Sequence, residues 1–77
     1  MAEKRHCERV LSLALDIGKS MVKSGAEVNR VEETVIRVCY AYGIEKAQVF
    51  SIISMIHATV IDKESGAHSQ LRRIYSY

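Results

Sequence analysis

The chain reads as an α+β domain, a helical hairpin packed on a small antiparallel sheet in the order α-α-β-β-β. Three observations predict this. Apolar residues recur at three- and four-residue spacing as far as Tyr42, the signature of helices that bury one face. From Ala47 the period shortens to two, the signature of strands. Gly25, Gly43 and Gly66 fall between the periodic segments, where helices and hairpins stop.

The first helix is expected over residues 8–23. Val10, Leu11, Ala14, Leu15, Ile17, Met21 and Val22 form its apolar stripe, and Arg9, Ser12, Asp16, Lys19, Ser20 and Lys23 its polar side. Residues 1–7 are expected to be a flexible terminus. Gly18 lies inside the helix, where glycine costs about 1 kcal/mol against alanine; a close backbone contact is the expected compensation. Gly25 follows Lys23 and Ser24 as a left-handed cap. For the second helix, Asn29 and Glu32 have capping-box spacing, with a start at Ala26 or Glu27 as the alternative. It runs to about Tyr42 and stops at Gly43. Its stripe is Val31, Val35, Val38 and Tyr42, broadened by Thr34, Cys39 and Ala41. Its many β-branched residues mean that tertiary packing must hold it.

The segment AQVFSIISM alternates with apolar residues on both sides and predicts an interior strand. HATVID continues as a second strand, with a break near Ser54 that no glycine marks. DKESGA is a turn with Gly66 at its left-handed position, and SQLRRIYSY is the last strand of a hairpin across Lys63 to Ala67. In that strand Leu71, Arg73, Tyr75 and Tyr77 face one way, and Gln70, Arg72, Ile74 and Ser76 the other.

Composition excludes several classes. At 77 residues the chain is at most one small domain. Residues 1–77 read as a single soluble α+β domain, or as a fragment of a larger one that the strand-like end LRRIYSY leaves unfinished. Such a domain buries about 60% of its unfolded surface, so self-association or a larger partner would stabilise it. A hydrophobic fraction of 48% excludes disorder. No run of about 18 apolar residues spans a membrane, and MAEKRHCERV is too polar for a signal peptide. Cys7 and Cys39 read as free thiols in a reducing, cytoplasmic compartment, a Cys7–Cys39 disulfide being the less favoured alternative. A net charge of +2 argues neither for nor against nucleic acid.

The residues that can carry chemistry are few. Arg30 and Arg37 are seven apart on the second helix and share a face. Arg30 lies in the first turn, where the helix dipole disfavours a cation. Glu27, Glu32 and Glu33 are near, and Glu33–Arg37 has i,i+4 spacing. An ordinary charged face accounts for these residues; a clamp on a small carboxylate or a neighbouring segment is the sharper reading, because the guanidinium fork binds carboxylates bidentately. His6, His57 and His68 are scattered, and no metal-binding spacing is present, so neither metal nor other cofactor is expected. His57 and Thr59 share a strand face and are weak candidates for a hydrolase site. Asp62 would point to the opposite side, leaving no orienting acid. Ser24 and Cys39 are weaker nucleophiles still, Cys39 being expected in the core. Arg72 and Arg73 lie on opposite sides of a strand and form no patch. Tyr75 and Tyr77 could stack on bases, but the acidic neighbours of both helices argue against nucleic acid. Tyr40 and Tyr42 are expected in the core and at interfaces.

The run GKSMVKSGAEVNRVEETVIRVCYAYGI is similar to the soluble N-terminal domain of the threonine/serine exporter family. The residues that carry the resemblance are Gly18, then Ser24, Gly25 and Ala26, then Arg30, Val31 and Glu32, then Arg37, and Gly43. Val49, Ser51, Gly66, Arg72 and Arg73 are weaker matches, and the resemblance extends over about residues 10–75. It implies a cytoplasmic domain attached to a membrane exporter of threonine, serine or related small carboxylates. In such proteins the domain precedes a transmembrane bundle; some relatives divide the function between two membrane proteins and are tied to dicarboxylate export. The implied partner is the transmembrane domain or membrane subunit of the same exporter, and the implied location is the cytoplasmic face of the membrane. The chain departs from the family pattern in having no transmembrane segment, so the parent reading frame is expected to continue past Tyr77 into apolar runs of about 20 residues. Two other readings stand beside this one: a small hydrolase using His57 and Thr59, and a homo-oligomeric module without catalysis.

Overall fold

The computed structural model describes residues 2–74, in the order α1 (Ala2–Lys23), α2 (Val28–Ala41), β1 (Lys46–Ile52), β2 (Met55–Asp62) and β3 (Gly66–Arg73). This is the α+β arrangement the periodicities predict. Both helices lie on one face of the sheet, α1 over β2 and β3, and α2 against α1 and β1.

α1 buries Cys7, Val10, Leu11, Ala14 and Leu15, an i, i+3, i+4, i+7, i+8 stripe. It begins at Ala2, six residues before the expected start, so residues 2–7 are helical and not a loose terminus. The reason is tertiary. Cys7 carries the stripe one turn further and is 1% exposed. The His6 Nε2–H donates to the Tyr42 carbonyl at 2.7 Å, holding the start of α1 to the end of α2. A polar segment with one apolar anchor shows no periodicity of its own.

Gly18 sits where α1, α2 and β2 meet. A Cβ there would lie 3.0 Å from Val35 Cγ2 and 3.1 Å from Ile56 Cδ1, so the expected close contact is present. The two helix ends are built alike. At α1 the Ala26 N–H donates to the Met21 carbonyl and the Gly25 N–H to that of Val22, both at 3.0 Å. At α2 the Ile44 N–H donates to the Cys39 carbonyl at 3.1 Å and the Gly43 N–H to that of Tyr40 at 3.0 Å. Both are Schellman closures, which need a left-handed residue after the helix; Gly25 and Gly43 supply it at φ of 91° and 89°.

α2 starts at Val28 with Glu27 as its cap residue, close to the alternative start and not at Asn29. The Asn29–Glu32 capping box does not form. Asn29 falls in the first turn, and Glu32 is engaged by the sheet instead. Val31, Val35 and Cys39 are the buried stripe. Tyr40 and Tyr42, expected in the core and at interfaces, are 53% and 51% exposed and so lie outside the core. Spacing by four from Val31 leads to Cys39, which turns Tyr42 away from the sheet.

The strand order is β1-β2-β3, antiparallel throughout. β1 is therefore an edge strand and not the interior strand that its two apolar sides suggested; one of those sides is simply uncovered. The β1–β2 connection is the two-residue turn Ile53–Ser54, at the expected break. No residue other than glycine has a positive φ among the described residues, so this hairpin does not use a primed turn. β3 starts at Gly66, earlier than expected. Tyr75 and Tyr77, and the stacking role considered for them, lie outside the described residues. Ile56, Ala58 and Val60 of the central strand complete the core under the helices, with Ile44 and Ile74 closing its ends.

Candidate functional site

The exposed side of α2 carries the residues singled out from the sequence. Arg30 is in the first turn, where no acidic residue offsets its charge. Its guanidinium has no partner among the described residues; only its carbonyl is engaged, by the Thr34 hydroxyl at 2.9 Å. Arg37 Nη2 donates to Glu33 Oε2 at 3.2 Å, an i,i+4 pair with both side chains largely in water. Such a pair contributes at most about 0.5 kcal/mol. Glu27, Asn29, Arg30, Glu33, Arg37 and Tyr40 line a shallow, open groove along this side. The structure therefore places Arg30, Arg37 and Asn29 together. The groove presents one unengaged cationic fork, which suits a carboxylate.

Glu32 belongs to a different environment. Its Oε2 accepts the Ser51 backbone N–H at 2.9 Å. Ser51 lies on edge strand β1, where outward N–H groups lack a strand partner. Glu32 thus covers the open edge, a role that sequence spacing over 19 residues could not show. The Ser51 hydroxyl beside it is buried and has no hydrogen-bond partner among the described residues.

Arg72 points inward and ties β3 to α1. Its Nε donates to Asp16 Oδ1 at 3.0 Å and its Nη2 to Ser12 Oγ at 2.9 Å. Gln70 Nε2 donates to the Glu8 carbonyl at 2.9 Å on the same side. Arg73 faces outward, away from Arg72 as the alternation predicts. Arg72 is therefore committed within the fold, and Arg73 is the one of the pair displayed on the surface.

His57 and Thr59 share the uncovered face of the sheet. Thr59 Oγ1 is 2.7 Å from Ser69 Oγ, its cross-strand neighbour. His57 sits in register between Phe50 and Leu71. Among the described residues no carboxylate is hydrogen-bonded to either, and neither lines the α2 groove. Among the described residues the pair has no orienting acid of the kind a serine- or threonine-type hydrolase uses.

A polar cluster that the sequence reading passed over closes the β2–β3 hairpin. Asp62 Oδ2 accepts the Ser65 N–H at 2.9 Å, the Glu64 N–H at 3.1 Å and the Ser65 hydroxyl at 3.0 Å. Ser65 Oγ is also 2.8 Å from His68 Nε2. The Ser65 backbone N–H, then its hydroxyl, hold the Asp62 carboxyl below the usual aspartate range. The serine hydroxyl donates to the carboxylate, so the imidazole faces an oxygen lone pair and does not activate the hydroxyl. An aspartate opening a turn was the available signal. Cys7 and Cys39 are buried and form no disulfide. Burial first, and the neighbouring Cys7 second, push the Cys39 thiol up, which keeps it protonated and inert. Among the described residues no cluster of histidine, cysteine, aspartate or glutamate could hold a metal ion.

These features define a small two-layer α+β domain that displays a helix groove lined by two arginines and two glutamates, and an uncovered sheet face. The family model ThrE, described as "Putative threonine/serine exporter", matches residues 12–77. The chain belongs to the threonine/serine exporter family. A search of the curated proteins and a search of the solved structures each return no match. No helix among the described residues is long and apolar enough to cross a membrane.

Proposed function

We propose that this chain is an accessory or regulatory domain of a membrane exporter for threonine, serine or related small carboxylates. It acts on the cytoplasmic face, beside the translocation path and not as the path itself. The observation that carries the reading is the family match over residues 12–77. The packing is consistent with it. α1 and α2 spend their apolar stripes on a sheet, and their other sides are charged, so neither helix offers lipid an apolar surface around its circumference. The membrane portion of the same exporter is the partner this reading requires. The α2 groove around Arg30 is where a small carboxylate, or an acidic segment of that partner, would engage.

Threonine and serine efflux from cells carrying Arg30→Ala tests this. The substitution removes no side-chain contact of Arg30 among the described residues, so the melting temperature of the chain stays within about 4 °C while efflux falls. Unchanged efflux in cells lacking the chain altogether would remove the exporter role. Loss of efflux together with loss of folding in Arg30→Ala would remove the groove's role.

A further inference from the structure

The two edges of the sheet are finished differently. In an antiparallel ladder the N–H and C=O of a residue point to the same side, and the side alternates along the strand. Ser51 turns its N–H outward to Glu32. Its register partner Ile56 therefore turns toward β3, where it pairs with Arg72. The Ile74 N–H, which donates to the Ser54 carbonyl at 2.8 Å, keeps the same phase. His68, Gln70 and Arg72 thus face β2, and Ala67, Ser69 and Leu71 present their backbone groups to the open side. α2 overhangs the β1 edge and answers Ser51 there. Nothing does the same for β3. Among the described residues the N–H groups of Ala67, Ser69 and Leu71 have no acceptor, and of their carbonyls that of Leu71 meets a donor, Arg72 Nη1 at 3.3 Å. Folds ordinarily blunt an edge with proline, a bulge, brevity or a charge in the path of a further strand. β3 has eight residues, no proline and an unbroken register from Gly66 to Arg73, and Arg72 is turned onto α1.

We propose that a second copy of the chain adds its own β3 to this edge, antiparallel about a two-fold axis between the two Ser69 residues. Two three-stranded sheets become one. In this register the two Ser69 residues bond each other in both directions, and Ala67 of each copy does the same with Leu71 of the other. The Leu71 oxygen keeps a lone pair for that bond. On the outer face the exposed Leu71 lies against Ala67. The Thr59–Ser69 hydroxyl pair, 2.7 Å apart, continues into its symmetry copy as one hydroxyl row. On the helix side His68 meets Gln70 and Arg72 meets Gly66, so within the strands no charge faces a like charge. Moving the axis by one residue is worse in either direction: at Gln70 it opposes His68 to Arg72, and at His68 it sets the two histidines together. The helices leave room. α1 packs on both β2 and β3, so with strands about 4.8 Å apart the two α1 helices lie about 10 Å from each other, an ordinary packing distance. The contact of Gln70 with Glu8 puts the first turns of α1 level with the axis. They contain Lys4, Arg5 and Arg9 with Glu3 and Glu8, a near balance that salt at about 0.15 M screens. This self-complementarity of register and helix spacing selects a second copy over an unrelated strand.

The pairing does not rest on the exporter role, which keeps or loses its support through efflux alone. Sedimentation equilibrium of the 77-residue chain in about 0.15 M salt should give the mass of two chains, falling toward one on dilution. Ser69→Pro removes an N–H that bonds nothing within one copy, so it should be a monomer with an unchanged circular-dichroism spectrum. Ala47→Pro removes an outward N–H of the β1 edge and should remain a dimer. Ser69→Cys sets two thiols across the axis at a hydrogen-bonded pair, about 5.5 Å between Cα atoms, within disulfide reach. Under mild oxidation it should yield covalent dimer at least about ten-fold faster than Leu71→Cys or the unsubstituted chain. If Ser69→Pro unfolds, these cross-linking rates decide. A monomer at every concentration, a dimer that folded Ser69→Pro leaves intact, dissociation by Ala47→Pro, or Ser69→Cys cross-linking no faster than Leu71→Cys would overturn the proposal.

Discussion

On the helix-facing side of the sheet, Ile56, Ala58 and Val60 are sealed from water, while directly behind them Phe50, Ile52, Ile61 and Leu71 stand in it. Large apolar residues stand on both sides, although the outer one also carries His57, Thr59 and Ser69. What separates them is what covers them: α1 and α2 lie on one and nothing among the described residues lies on the other. The comparison teaches that apolar alternation reports the capacity of a face to be buried, and that a neighbour decides whether it is. It also explains why β1, apolar on both sides, was expected in a sheet interior and is found at an edge. An uncovered apolar face costs solubility without contributing to the fold, so its energetic signature should differ from that of the covered face by a wide margin.

The largest expected effect breaks the comparison most directly. Ile56→Ala should lower stability by about 3 kcal/mol, through lost burial and a cavity, while Phe50→Ala should change it by no more than about 0.5 kcal/mol. Urea unfolding measures both, and equal losses would mean that the outer face is packed after all. Gly18→Leu comes next, at about 2 kcal/mol, because even its Cβ crowds Val35 and Ile56 inside ordinary van der Waals contact. A neutral result would show that α1 can move off the sheet, making the covered face less committed than its burial suggests.

Glu32→Ala should cost about 1 kcal/mol by leaving the Ser51 N–H on the open edge without its acceptor. Hydrogen exchange at Ser51 should accelerate in the same variant, and unchanged exchange would deny Glu32 its edge-covering role. The smallest effect concerns the hairpin end of the sheet, far from either face. The Asp62 carboxyl is held below its ordinary range by the Ser65 N–H and hydroxyl. A depressed folded value contributes stability above the unfolded value, and that stability is lost as pH falls through the folded one. The chain's melting temperature should therefore drop below about pH 4, and Asp62→Asn should flatten that part of the profile.

The local features were legible because their causes are local. Gly25 and Gly43 close their helices since a left-handed residue is needed within two positions of the end, and the period-two alternation of residues 47–61 places His57 and Thr59 on one side with no knowledge of the fold. The resemblance of Gly18 to Gly43 pointed to the family that the match over residues 12–77 shows. Less could be read where the partner is distant. Glu32 has a plausible cap three residues away and a real partner 19 residues away. Arg72 was placed only on one side of its strand, and it is committed to Asp16 and Ser12 across more than 50 residues. Tyr42 follows an apolar stripe on a helical wheel and still faces water, because the sheet lies under Cys39.

By itself the sequence determined which segments are helices and which are strands, where the glycines end them, and that Arg72 and Arg73 must face opposite ways. Periodicity and backbone sterics act within a few residues, so these properties need no tertiary information. The tertiary structure alone decided that Cys7 anchors six additional helical residues, that Glu32 guards a strand edge, and that only one side of a sheet with apolar residues on both is covered. Each of those depends on which surfaces meet, and burial is a property of a pair of surfaces that neither segment encodes on its own.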